Sequence, residues 1–119
     1  MNQKKIHPEL QQLIEKLRHT SAKEGIALWK TVAATLAGST AKRPIVNISR
    51  INLYATEKEV VLVPGKVLAT GDLARPIHVA AFRFSKEAKH KIEQAKGKAF
   101  SIVELMEKNP KGKEVRILG

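Results

Sequence analysis

The sequence contains no cysteine. That excludes disulfides, thiolate zinc sites and thiol catalysis, and it agrees with a reducing compartment. Aromatic residues are scarce: one Trp, one Tyr and three Phe amount to 4% of the chain, so the core has to be aliphatic. Asp72 is the sole aspartate and stands in a Gly-Asp turn. No apolar run approaches the ~20 residues that span a bilayer. The opening Met-Asn-Gln-Lys-Lys-Ile-His-Pro lacks the apolar stretch of a signal peptide. These absences predict a cytoplasmic protein with no membrane partner.

Catalytic patterns are missing as well. Gly65-Lys66 has no upstream glycine at P-loop spacing and is followed by Val67, so no phosphate cradle is built. No GxGxxG and no Gly-x-Ser-x-Gly occurs. His7, His19, His78 and His90 are scattered, with no two at metal-ligand spacing. His78 lies in an apolar stretch and reads as a buried, satisfied histidine rather than a ligand. The glutamates fall mainly beside lysines on helical segments, where solvated pairs are the ordinary outcome. The sequence thus predicts no catalytic residue, no metal and no cofactor.

What is abundant is positive charge. Lys and Arg number 22 against 11 acidic residues, a formal charge of +11. The excess is spread evenly, +5 over residues 1–65 and +6 over residues 66–119. Such a charge on a small protein favours polyanionic partners, nucleic acid first and anionic membrane surfaces second. With 43% hydrophobic residues the chain can still bury a core, so this is no disordered basic tail, and its 119 residues fit one domain.

Periodicity divides the chain into three stretches. Over residues 1–37, Pro8 suits a first helical turn, and Leu10, Leu13, Ile14 and Leu17 recur at helical spacing. Ile26, Trp29, Val32, Ala33 and Leu36 mark a second amphipathic helix after the break at Gly25. Together these predict a helical hairpin, although Ser21 and Glu24 also fit a capping box, which leaves the boundary open. Residues 38–44 read as a linker. Residues 45–119 change to a β-rich pattern. Arg50-Ile51-Asn52-Leu53 fits strand or short helix; Glu59–Val63 is a strand stopped by Pro64-Gly65; Lys66–Ala69 is a second extended piece. Ile77–Phe84, apolar on both faces, is a central strand. Ser85 caps a helix over 86–96, and Lys98–Phe100 is a short strand. Ser101 and Glu104 form a capping box for a helix to Lys108, and Val115–Leu118 is a last strand. The fold class is α/β.

The candidate binding residues are cations placed where the backbone turns. They are Lys42 and Arg43 before Pro44, Arg50 among apolar residues, Lys66 after Pro64-Gly65, and Arg75 before Pro76. Lys111, Lys113 and Arg116 surround Gly112, and Lys4 and Lys5 add to the set. Loops of this kind bring backbone N–H groups and charged side chains to phosphates together. Arg50 is expected to have a packed stem and a fixed guanidinium. Phe82-Arg83-Phe84 has the interleaving of a base-stacking sheet, but strict alternation sends both rings to one face with Ala80, so they read as core. Trp29 reads as core for the same reason. With so few aromatics, recognition is expected to rest on shape and phosphates.

Several segments in one order resemble a known family: Val46-Asn47-Ile48-Ser49-Arg50-Ile51-Asn52, Val60–Leu68 with its Pro64-Gly65-Lys66, Val79–Ser85, and Glu104–Gly112 with Val115-Arg116-Ile117. They are similar to the archaeal-type ribosomal protein eighteen-e of the large subunit, over nearly the whole chain. The resemblance implies the fold shared with the bacterial fifteen-type ribosomal protein, short β-β-α units in an irregular superhelix. It also implies a monomer within the ribosome, bound to large-subunit ribosomal RNA beside neighbouring ribosomal proteins. Two positions depart from the family pattern: Lys96-Gly97 stands where a double glycine is usual, and Ala69 where glycine is common. The competing reading is a DNA-binding or nucleoid protein, which needs a recognition helix with an outward basic face. The first two helices are too mixed in charge to offer one.

Overall fold

In the computed structural model, which describes residues 7–119, five α-helices and five β-strands succeed one another. α1 (Pro8–Glu24) and α2 (Leu28–Ala37) form the expected hairpin. Pro8 occupies the first turn, and Gly25 ends α1 in the left-handed conformation with its N–H on the Ser21 carbonyl at 2.9 Å. Ser21 lies inside α1 and its hydroxyl donates to the Ile26 carbonyl, so the residues that fit a capping box instead close the helix from its far end. Residues 38–44 contain one 3-10 turn, Thr40–Lys42, before Pro44 turns the chain into β1 (Ile45–Asn47).

α3 (Ile48–Tyr54) resolves the open segment as helix, because Ile48, Ile51 and Ala55 bury one face at helical spacing. Next come β2 (Val60–Leu68), β3 (His78–Phe84), α4 (Lys86–Gln94), β4 (Ala99–Ser101), α5 (Ile102–Lys108) and β5 (Val115–Ile117). Ser85 caps α4 through the Ala88 N–H at 3.1 Å, and Ser101 and Glu104 form the predicted capping box of α5.

The strands make one all-parallel sheet in the order β1-β2-β3-β4, with β5 also pairing β2. β3 occupies one edge of β2. The other is shared, by β5 along Val60–Leu62 and by β1 along Lys66–Leu68. Helices cover both faces. Val61, Val63, Val79 and Ala81 meet α3 and α4 in one cluster, while Leu62 and Ala80 meet α1, α2 and α5 in the other. A parallel sheet buried on both faces reads as continuous apolar sequence, which is how β3 reveals itself.

Pro64-Gly65 does not stop β2. The Val63↔Ala81 pairing passes to Lys66↔Arg83, so two residues of β2 oppose Phe82 alone in a bulge. A bulge leaves a residue out of the ladder, and proline, with no N–H to donate, is tolerated there. Gly65 is needed for a different reason: a Cβ at this position would stand 2.0 Å from the Pro44 carbonyl oxygen, which accepts the Lys66 N–H at 3.0 Å.

The bulge also breaks the alternation that placed both phenylalanines together. Phe82 packs on the α1/α2/α5 side and Phe84 on the α3/α4 side, each only partly buried. His78 is not buried either. Its exposed ring meets Phe100 edge-on, with centroids 6.1 Å apart. Trp29 is fully buried as expected, and its Nε1 donates to the Pro110 carbonyl at 2.7 Å, tying α2 to the turn after α5.

Candidate nucleic-acid interface

The cations fall into three groups according to what their side chains hold. The first group braces the fold. Arg75 donates to the Ala55 carbonyl at 2.8 Å and to the Asn52 carbonyl, satisfying groups that the end of α3 leaves open. Arg43 does the same for α2 through the Leu36 carbonyl at 3.0 Å. Both are half-buried. Lys91 joins them, with its Nζ on the carbonyls of Ala69 (2.8 Å) and Gly71 and 3.9 Å from Asp72. Arg75 and Lys91 thus fasten residues 69–77, which connect β2 to its parallel neighbour β3 without a helix. Asn52 and Thr70 add the bonds Ala74 N–H to Asn52 Oδ1 at 3.1 Å and Ser49 N–H to the Thr70 carbonyl at 2.9 Å.

The second group is paired with carboxylates: Lys111 with Glu24 at 3.6 Å, Arg116 with Glu59 at 3.3 Å, and Lys16 with Glu107 at 3.0 Å. Partial desolvation alone would raise the Glu59 carboxyl. Hydrogen bonds from Arg116 and Thr56 outweigh it and hold the group below the ordinary carboxylate value.

Of the cations that the sequence singles out, the third group holds Lys42, Arg50, Lys66 and Lys113. Each is exposed and makes no ion pair or side-chain hydrogen bond among the described residues. The packed stem expected of Arg50 is therefore absent: α3 buries Ile48 and Ile51 and turns Arg50, Leu53 and Tyr54 outward. Lys4 and Lys5 lie outside the described residues.

The sheet register brings two of these groups together. Ile45 of β1 pairs with Lys66 of β2, and Lys66 with Arg83 of β3, so the three stand side by side across the strands. Beside them opens a cleft of about 240 Å³ whose wall also includes Arg43, Pro44 and Phe82, with the 3-10 turn that carries Lys42 at its rim. Phe82 lies under two guanidiniums: the Cζ of Arg83 is 4.9 Å and that of Arg43 5.3 Å from its ring centroid. The Nε of Arg43 is buried without a hydrogen-bond acceptor, so the ring face is the compensation it has. No carboxylate lines the cleft. It lies toward the carboxyl ends of β2 and β3, where ligands of parallel sheets usually sit.

Of the sequence-predicted residues, the cleft thus gathers Arg43 and Lys66, with Lys42 adjacent. Arg50, Arg75, Lys111, Lys113 and Arg116 do not line it. Sequence reasoning missed Arg83, although the signal was present in Phe82-Arg83-Phe84, where a bulge on the neighbouring strand changes which side each ring takes. A second cation–ring group was also missed. Lys98 and Lys108 lie 5.6 and 5.2 Å from the centroid of Phe100 on the edge strand β4. Among the described residues, no three His, Cys, Asp or Glu side chains gather where a metal could be held, and no helix is long and apolar enough to cross a membrane.

Comparison with known proteins places this geometry in context. A family model described as "Ribosomal proteins 50S-L15, 50S-L18e, 60S-L27A" matches residues 8–100. The chain is 45% identical to the "Large ribosomal subunit protein eL18" of Methanothermobacter thermautotrophicus, over 96% of this chain and 94% of that protein. It is 46% identical to the protein of the same name from Methanosphaerula palustris (97% and 95% covered), and 44% identical to that of Archaeoglobus fulgidus (97% and 98%).

Proposed function

Because the chain belongs to the family of ribosomal proteins 50S-L15, 50S-L18e and 60S-L27A, we propose that it is a structural protein of the large ribosomal subunit that holds ribosomal RNA through its phosphates. The observation that carries this reading is the acid-free cleft at the end of the sheet, where Lys66 and Arg83 stand side by side. A surface that presents cations without carboxylates is built for an anion, and the overall charge of +11 extends the attraction over the whole chain.

The division among the cations sharpens which of them act. Lys42, Arg50, Lys66 and Lys113 are the primary phosphate contacts, and Arg83 adds its charge to the cleft beside Lys66. Lys111 and Arg116 join them, because both cations stand exposed beside half-buried carboxylates and can turn to a phosphate. Lys4 and Lys5 add contacts from the N-terminal lead. Arg43 and Arg75 act one step back, holding the backbone that places the others. The protein works as a monomer and a single unit in the cytoplasmic ribosome, with neighbouring ribosomal proteins as its other partners. Leu53 and Tyr54, exposed at 71% and 48% on α3, suit such a neighbour. It carries out no reaction.

Six to eight phosphate contacts predict a fall in RNA affinity of roughly 10³–10⁴ between about 50 and 200 mM salt. Titration of the full chain with large-subunit ribosomal RNA over that range tests the count. Lys66→Ala should lower the slope by about one unit and weaken binding to all sequences alike. A salt-independent affinity, or failure of the native protein to sediment with large subunits, would count against the reading.

A further inference from the structure

The cleft beside Phe82 has more in it than phosphate binding requires. A phosphate oxygen needs only donors and charge, and a solvated lysine supplies both. Here the cations surround an apolar wall. Phe82 forms one side, Pro44 another, and Ile45, 64% exposed, stands directly beside Lys66 in the register. Arg43 is fixed between the Leu36 carbonyl and the Phe82 ring and cannot swing out to meet a distant anion. Arg83 is different. It is exposed, yet its Cζ stands 4.9 Å from the same ring centroid, so its guanidinium meets solvent as well as the ring. A flat cation backed by an aromatic ring, flanked by an exposed aliphatic side chain and a free ammonium, has the chemistry of a nucleotide: a planar base to stack on, and a charge to meet the phosphate.

We propose that this cleft takes one unpaired nucleotide of RNA, its base stacked on the Arg83 guanidinium against Ile45 and its phosphate held by Lys66. The inference rests on the reading of the protein as an RNA binder and names what one part of its surface recognises. The size agrees. The cleft holds about 240 Å³, less than the roughly 300–1,000 Å³ of sites that enclose a small molecule, so it admits a single projecting group and not a free ligand. A paired base is not available to it, because both faces are already stacked within the helix. The nucleotide has to come from a loop, a bulge or an end.

The test compares two RNAs on the full chain: a single-stranded decamer of adenosines carrying one 2-aminopurine, and a fully paired duplex of sixteen base pairs. Arg83→Lys keeps the charge and removes the plane, and Ile45→Gln removes the apolar flank. Both positions are exposed, and a thermal melt verifies that each variant folds. Stacking of a base on an aromatic side chain is worth roughly 5- to 150-fold in affinity, and a guanidinium plane supplies the low end of that range. Each variant should therefore lose at least about fivefold on the decamer, within that range, and lose the 2-aminopurine quenching, with duplex binding unchanged. If Arg83→Lys leaves both RNAs bound as before, or weakens both equally, Arg83 is a phosphate contact only and the nucleotide site is overturned while RNA binding stands. If the unaltered protein binds neither RNA, the RNA-binding reading itself fails, and this site with it.

Discussion

Gly65→Ala is the substitution that most directly tests how the candidate interface is built. The backbone at Gly65 is not in the left-handed region, so alanine brings no conformational strain of its own. The cost is steric. The new Cβ would stand 2.0 Å from the Pro44 carbonyl oxygen, with the Pro44 carbonyl carbon and nitrogen at 3.0 Å. All three are backbone atoms, so no side chain can rotate away. Relief requires the start of β1 to retreat by about 1 Å or more, which breaks the Lys66 N–H to Pro44 carbonyl bond of 3.0 Å and loosens the Ile45↔Lys66 pairing. Overpacking costs about 1–3 kcal/mol, and a buried backbone group left without a partner about 1–3 more. The sum, about 2–6 kcal/mol, is a large part of a typical total stability of 5–15 kcal/mol. At roughly 4 °C per kcal/mol for a chain of this size, the melting temperature should fall by about 8–24 °C. Differential scanning calorimetry reads this directly, with Gly38→Ala as control, since a Cβ there meets only ordinary contacts at 3.5 Å or more. A Gly65→Ala melt within 2 °C of the unaltered protein would show that β1 yields freely, and that the Pro44 carbonyl does not fix the cleft wall.

Three further outcomes follow from local geometry. Lys96 sits at φ +71°, just before Gly97, whose Cα faces the Ile77 carbonyl. Relieving the left-handed penalty of roughly 1–2 kcal/mol, less the about 0.4–1 kcal/mol of added unfolded-state entropy, Lys96→Gly should stabilise by about 0.5–1 kcal/mol. The check is a higher urea midpoint at unchanged slope. Arg75→Ala should cost about 1–3 kcal/mol by stranding the Asn52 and Ala55 carbonyls, while leaving the salt slope of RNA binding where it was; a reduced slope would make Arg75 a phosphate contact instead. The Ser101 N–H and hydroxyl hold the Glu104 carboxyl below its ordinary value near 4.5. A depressed folded-state pKa contributes stability that is present above the ordinary value and lost as pH falls below it. Glu104→Gln should therefore flatten the loss of stability below about pH 4.5, seen in denaturant melts from pH 6 to pH 3, while Ser101→Ala should cost about 1 kcal/mol at neutral pH.

The sequence by itself determined whatever depends on neighbours along the chain. Helix faces declare themselves at short spacing, as in Leu10–Leu17 and Trp29–Leu36, and caps occupy three or four residues, as Ser85 and Ser101 do. β3 was legible because burial on both faces leaves no polar alternation. The net charge and the family segments are properties of the sequence alone. What only the tertiary structure decided depends on residues far apart. Pro64-Gly65 looks like a stop until β1, β5 and β3 are in place around it, because a bulge is defined by the partner strand. The bulge then separates Phe82 from Phe84 and sets Arg83 beside Lys66. The fate of each cation was equally hidden. Arg43, Arg75, Lys66 and Arg50 are alike as letters, yet two brace helix ends and two are exposed, because an arginine or lysine side chain bonds whichever carbonyl or carboxylate the fold brings within its reach.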